Sequence, residues 1–234
     1  MINHEFLNLY KTREETLEER YSKEGRRFSS VIMEFMNSPE GQIWREKMDM
    51  CREIRNLMSH TPDIGGEPVI TPAQGVVDIL RDILSYVQKP PLAIEYATPA
   101  DKILKTSLGE RALPLMRAMS KRGFSHVPVM GGEGMIGVFS VSTVFANAIL
   151  RETTLNEETH IRAFEEILPV DRHTTEQFCF IGEETTLPEA QAAFDLGKER
   201  RRRMAALFIT KGGHPKGKLL GMLTPWDVLK EMGG

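Results

Sequence analysis

The sequence is poor in several things, and each shortage removes a class of protein. It has two cysteines in 234 residues, Cys51 and Cys179, far apart and in apolar surroundings. That excludes a disulfide framework and fits a cytoplasmic location. Aromatics make up 7% of the chain, and no run of 18 apolar residues occurs, so no membrane span is expected. The start, Met1-Ile-Asn-His-Glu-Phe, lacks a basic region followed by an apolar core, so no secretory leader is expected. There is no Walker loop, no Cys-x-x-Cys and no Ser-centred nucleophile motif. His126, His173 and His214 have no metal-ligand spacing, so no metal is required. Nor is there an excess of basic charge. The net charge is −3; residues 1–90 carry 12 basic and 15 acidic side chains, and the rest 18 of each. A general nucleic-acid coat is excluded, and any RNA contact needs a local patch.

What remains is 41% apolar residues and a clear division. Lys89-Pro90-Pro91-Leu92 cannot continue a helix and marks a boundary. Before it the chain reads as helical: Phe6 to Tyr21, Arg27 to Met36, Glu40 to His60, and Thr71 to Gln88. Thr71 is placed to cap the fourth helix, with Pro72 in its first turn. Val76, Val77, Ile79, Leu80, Ile83, Leu84 and Val87 form its apolar stripe. A small all-α bundle over residues 1–89 is the expectation.

Beyond the boundary, one pattern occurs twice. The first copy ends Gly137-Val-Phe-Ser140-Val-Ser-Thr143, the second Gly221-Met-Leu-Thr224-Pro-Trp-Asp227. Each is a short apolar strand followed by a hydroxyl residue at a helix N-cap. Free backbone N–H groups at such a cap favour phosphate. An acid three residues on can accept hydrogen bonds from both hydroxyls of a ribose. Only the second copy has that acid; the first has Thr143. Before each motif come a helical segment (Glu110 to Lys121, Leu187 to Leu196), a strand (Ser125 to Met130, Met204 to Thr210) and a Gly-rich turn. The motifs lie 84 positions apart. The excess over a compact repeat is assigned to the polar stretch 151–175, giving repeats at 92–150 and 176–234 joined by a linker.

This arrangement resembles the CBS-domain family, and the tandem pair resembles a Bateman module, over residues 92 to 232. The resemblance implies an α+β chain: an N-terminal all-α bundle followed by a tandem α/β CBS pair. It also implies an adenosine-type nucleotide as regulatory ligand (AMP, ADP, ATP or a relative, with S-adenosylmethionine or a cyclic dinucleotide as variants). Thr224 and Asp227 would hold it, and Ser140 and Thr143 would form a weaker counterpart. The plain alternative for Thr224 and Asp227 is an N-cap with a first-turn acid. The arginine run Lys198 to Arg203 is either solvated or sends one arginine to phosphates held at Thr224.

The third helix has an apolar stripe of Trp44, Met48, Cys51, Ile54 and Met58, with Arg55 at its edge. A charge there needs an anion, carbonyls or a partner chain. The segment Arg55-Asn56-Leu57-Met58-Ser59-His60 resembles the Arg-Asn-x-x-x-His motif of HEPN domains. That resemblance implies a homodimer and metal-independent cleavage of single-stranded RNA. His60 would move the 2′-hydroxyl proton, Arg55 would bind the scissile phosphate, and Asn56 would orient. The competing reading is a non-catalytic sensor whose bundle only dimerises or docks a partner. Without the resemblance, Arg55 could pair with Asp49 or Glu53, and His60 could simply complement the helix C-terminus.

Overall fold

The structure is a computed structural model. It describes residues 2–21, 31–61, 64–65, 67–151, 155–199 and 202–229. These form two compact units, Met1–Pro91 and Leu92–Gly234.

The first unit is all helix: α1 (Ile2–Tyr21), α2 (Val31–Asn37), α3 (Pro39–Gln42), α4 (Arg45–His60) and α5 (Gln74–Gln88). Its core is made by the stripes read from sequence. Val77, Leu80, Ile83 and Val87 of α5 are buried against Phe6, Tyr10 and Leu17 of α1 and Met48 and Cys51 of α4. Residues 22–30, which hold the start of the expected second helix, lie outside the described residues. The expected third helix is two helices. Ser38 caps α3 through its Oγ, which accepts from Gly41 N at 3.1 Å, with Pro39 following. Gly41 is pressed so closely on Phe35 that a Cβ would lie 1.9 Å from its carbonyl oxygen. Glu40 is buried and paired with Arg20 at 2.9 Å. With that turn pinned to α2, the chain restarts at Arg45 to aim Met48 and Cys51 inward. The fourth helix also starts later than Thr71. Pro72 is buried, and Ala73, extended at φ −65 and ψ 153, is the cap residue with no side-chain cap bond. Packing of Pro72 outweighs the local hydroxyl cap.

The second unit contains two repeats of one topology. The first has β2 (Thr106–Ser107), α7 (Ala112–Arg122), β3 (His126–Gly131), β4 (Gly134–Ser140) and α8 (Val141–Arg151). The second has β5 (Glu176–Ile181), α9 (Leu187–Glu199), β6 (Arg203–Thr210), β7 (Leu219–Leu223) and α10 (Pro225–Leu229). Ahead of both lie α6 (Ala93–Tyr96) and β1 (Thr98–Pro99). In each repeat a parallel pair is followed by an antiparallel hairpin, giving the orders β2-β3-β4 and β1-β7-β6-β5. Local signals explain the elements. Gly123, at φ 69, ends α7 in a left-handed cap that a side chain would strain. Thr186 and Glu189 form a capping box at α9, with Glu189 accepting from Thr186 N at 2.9 Å.

The repeats are interlocked. β1 precedes the first repeat, yet pairs with β7 of the second: Thr98 faces Met222, and Pro99 faces Gly221. Ala93 of α6 is buried in the second repeat's core. In return, the stretch 151–175 is not the linker the sequence suggests. It forms a 3-10 helix, Ile161–Ile167, whose Ile161 and Phe164, with Leu168, are buried in the first repeat's core. Phe164 meets Phe139 edge-on at a centroid distance of 5.1 Å. Leu168 O accepts from Val138 N at 2.8 Å, mirroring Thr98 beside Met222.

Strand register then locates the excess residues. Leu168 stands 70 positions after its counterpart Thr98. Ile181, paired with Ile209, is 75 after Thr106, paired with Val129. Ile209, facing Gly221, is 80 after Val129, facing Gly137. The motifs themselves are 84 apart. The extra length is therefore distributed within the second repeat: ahead of and along β5, from α9 into β6, and in the β6–β7 turn. Apolar residues spaced along 161–168 were hidden by the charged residues between them.

Candidate functional site

The interlock creates two related clefts, each built from the motif of one repeat and the strand entry belonging to the other. The cleft at the second motif has a volume of about 280 Å3. Its walls include Lys102, Phe124, His126, Thr224, Trp226 and Asp227. Asp227 is half-buried, and its Oδ2 accepts from both Thr224 N, at 2.8 Å, and Thr224 Oγ1, at 2.7 Å. The plain capping role is thus real. It also changes the roles read from sequence: the Thr224 hydroxyl proton and N–H are engaged with the acid, so neither is a free donor for phosphate. The basic residue of this cleft is Lys102, ahead of the first repeat's β2, which the sequence reading missed. No local signal distinguishes it from other surface lysines; only the pairing of β1 with β7 brings it here.

The cleft at the first motif is larger, about 560 Å3, and mostly apolar. Val141, Phe145 and Ile167 contribute, with Arg172 and His173 beside them. Its two hydroxyls are closed. Ser140 and Thr143 are buried and cap each other: Ser140 N donates to Thr143 Oγ1 at 3.1 Å, and Thr143 N donates to Ser140 Oγ at 3.2 Å. Thr143 Oγ1 donates to Val138 O at 3.4 Å. Ser140 Oγ donates to Glu176 Oε2 at 2.9 Å. Chemistry and volume therefore point to different clefts. Chemistry decides, because the larger cleft has its motif hydroxyls buried and no carboxylate in its lining to accept from a ribose.

Glu176 is the main residue the sequence reading missed. It opens β5, where an acid reads as solvated, yet it is 4% exposed. His126 Nε2 lies 2.9 Å from its Oε1, and Arg203 Nη2 lies 3.3 Å from the same oxygen. Burial alone would raise its pKa. The hydrogen bond and charge of His126, with the hydroxyls of Ser142 and Ser140, outweigh that and hold it at about 2. An ionised carboxylate only accepts, so His126 Nε2 carries the proton, and Ser125 Oγ at 3.0 Å serves Nδ1. His173, buried and 3.2 Å from Leu168 O, is pushed below the usual histidine range by burial. Both rings stack edge-on against Phe178.

The two described arginines of the run turn away from Thr224. Arg202 Nη1 donates to His173 O at 3.0 Å, and Arg203 turns to Glu176. Both belong to the surroundings of the first cleft. Arg200 and Arg201 lie outside the described residues.

In the helical unit, Arg55, Asn56 and His60 all fall on the C-terminal part of α4. Arg55 is half-buried, 5.6 Å from the Tyr10 ring centroid, and its Nη1 donates to Asn56 Oδ1 at 3.2 Å. Asn56 and His60 are exposed, one turn apart. The fully buried arginine is a different one. Arg13 is 0% exposed, sits 4.0 Å from the Tyr10 centroid, and its three side-chain nitrogens have no hydrogen-bond partner among the described residues. Burial pushes the nearby Cys51 thiol up, against the opposing charge of Arg13. Among the described residues no group of three metal-ligating side chains occurs, and no helix is long and apolar enough to cross a membrane.

Part of the chain is similar to known proteins. The family model of the CBS domain matches residues 80–148. No curated protein matches the chain. Similar solved structures include a putative signal-transduction protein with CBS domains from Burkholderia ambifaria MC40-6, at 19% identity over 61% of this chain and 93% of that one, TM-score 0.43. CBSX2 in complex with AMP is similar at 16% identity over 61% and 96%, TM-score 0.43. CbpB in complex with c-di-AMP is similar at 19% identity over 60% and 83%, TM-score 0.42. Residues 80–148, from the end of α5 through most of the first repeat, thus match a CBS domain, within a chain of α+β class.

Proposed function

We propose that the Leu92–Gly234 unit binds an adenosine-type nucleotide in the Asp227 cleft and that occupancy regulates the helical unit. The observation that carries this reading is the half-buried Asp227 carboxylate in a cleft that also contains Lys102. Oδ2 is held by the cap; Oδ1 makes no hydrogen bond among the described residues. That oxygen can accept from a ribose hydroxyl while Lys102 meets phosphate. Ligand pockets measure about 300–1,000 Å3. A cleft of about 280 Å3 suits one nucleoside with its phosphates toward solvent. Phe124 and Trp226 offer apolar faces for the base. Thermal shift of wild type and Asp227→Ala with AMP, ADP, ATP, cyclic dinucleotides and S-adenosylmethionine tests it. A ligand that binds only the folded state adds about 2.7 kcal/mol at a hundred times its Kd. At least one nucleotide should stabilise wild type and lose most of that effect in the variant; a flat panel rejects the reading.

The exposed pair Asn56 and His60, with Arg55 hydrogen-bonded to Asn56, favours a second reading for the helical unit. In it the unit is HEPN-like and cleaves single-stranded RNA without metal, in a homodimer that joins two copies of the motif. The expected result is slow cleavage in EDTA leaving 2′,3′-cyclic or 3′-phosphate ends. His60→Ala should lower the rate by about 10²–10⁴-fold through loss of proton transfer. If wild type and His60→Ala behave alike across RNAs and nucleotides, the helical unit is a non-catalytic dimerisation or docking module. Light scattering that shows only monomer at micromolar concentration removes the composite site.

A further inference from the structure

We infer that Glu176 is a built-in anionic ligand of the first motif: its carboxylate fills an anion site made by three elements of the fold and thereby closes the first cleft to nucleotides. This rests on the proposal that the Asp227 cleft binds one. The donors come from separate strands. Ser140 Oγ, at the end of β4, donates to Oε2 at 2.9 Å. His126 Nε2, on β3, donates to Oε1 at 2.9 Å. Arg203 Nη2, on β6, lies 3.3 Å from Oε1. A hydroxyl, an imidazole N–H and a guanidinium converging on one point are the usual donors for a phosphate oxygen. Here the anion is part of the chain. It is 4% exposed, and two of its donors are buried or nearly so. Moving it aside would strip a buried charge of its partners, which keeps the site closed.

The arrangement accounts for the contrast between cavities. The first cleft is the larger, but the Ser140 hydroxyl is turned inward to Glu176 and Thr143 offers no carboxylate to a ribose. Arg203, 74% exposed along its side chain, is held on the internal acid. Removing the carboxylate frees Ser140, which is bonded to Thr143 of the cleft of about 560 Å3, together with Arg203, and it frees His126, which lines the Asp227 cleft.

Titration calorimetry of AMP into the full chain tests this in wild type, Glu176→Ala and Glu176→Ala/Asp227→Ala. The expected stoichiometries are one, two and one per chain. A second readout uses inorganic phosphate alone: it should raise the melting temperature of Glu176→Ala and leave wild type unmoved. Should Glu176→Ala fail to fold, Glu176→Ser keeps an acceptor for Ser140, leaves room for an anion, and takes the same measurements. One AMP per chain in both wild type and the variant, with no phosphate response, overturns the inference while the Asp227 reading stands. No AMP binding to any form rejects the Asp227 reading, and the phosphate response then decides the built-in ligand: a shift confined to the variant supports it, and equal behaviour overturns it.

Discussion

The two repeats share a strand order and an N-capped helix after each hairpin, and they differ in where the carboxylate stands. In the second, the acid is Asp227, within the motif and at the cleft. In the first, it is Glu176, from β5 of the other repeat, buried behind the motif. The hydroxyl is internally bonded in both copies, in one to an acid that itself faces the cleft and in the other to an acid that is buried. A repeat can keep its fold and change its chemistry by moving one charge from the cleft into the structure. The backbone needs only a cap at that position, and Thr143 supplies one as well as Asp227 does.

Three measurements break or sharpen this contrast. The largest effect concerns how each repeat is completed by residues outside it. Phe164→Ala should cost about 3–5 kcal/mol, the usual price of emptying a buried phenylalanine site. Chemical denaturation reads it directly; an effect below about 1 kcal/mol would return 151–175 to the status of a linker.

Next comes ligand binding. Asp227→Ala should weaken nucleotide affinity by about tenfold or more, since hydrogen bonds to charged groups contribute about 1.5–3 kcal/mol. Thr143→Ala, on the closed side, should change it by less than about threefold. Equal and small losses in calorimetry would erase the difference between the clefts.

The third effect is acid sensitivity of the closed side. His173 has a lowered pKa, so the folded state binds fewer protons there than the unfolded chain. Its stabilisation is complete above about 6.5, the unperturbed histidine value, and falls as pH drops below it. Glu176 is also depressed. Its share is complete above about 4.3, the unperturbed glutamate value, and is lost as pH falls through about 2. Stability should thus decline in two stages below neutrality. Glu176→Gln should flatten the lower stage and deepen the upper one, because the Glu176 charge raises the His173 pKa, as read by melting temperature against pH.

How much of this the sequence revealed depended on whether the signal was local. The doubled pattern was legible because Gly, hydroxyl and turn residues stand at fixed spacings, and the helix and strand assignments from 110 to 210 follow from them. The interlock was not. β1 is two residues long and pairs with a strand more than a hundred positions away. Lys102 and Glu176 likewise take their meaning from partners brought in by topology.

The helical unit shows the same limit. The stripes of α4 and α5 predicted the core well, and Arg55 does lie at the edge of its apolar arc, half-buried. Yet the fully buried guanidinium is Arg13 of α1, in a helix whose many charges obscure its inner face. A guanidinium there without hydrogen-bond partners among the described residues is costly, and its contact with Tyr10 offsets only part of that. Arg13→Met should accordingly leave stability unchanged or raise it by on the order of 1 kcal/mol. A clear loss would mean that Arg13 has a role that its immediate surroundings do not explain.

The central claim is that one cleft is open to a nucleotide and that Asp227 makes it so. Titration calorimetry of AMP, ADP and ATP into wild type and Asp227→Ala, with Ser140→Ala as the control on the closed side, tests it most directly. The account predicts one bound nucleotide per wild-type chain, loss of binding by about tenfold or more in Asp227→Ala, and little change in Ser140→Ala. Binding that survives Asp227→Ala and disappears in Ser140→Ala would contradict it, and would place the ligand in the cleft that Glu176 is argued to close.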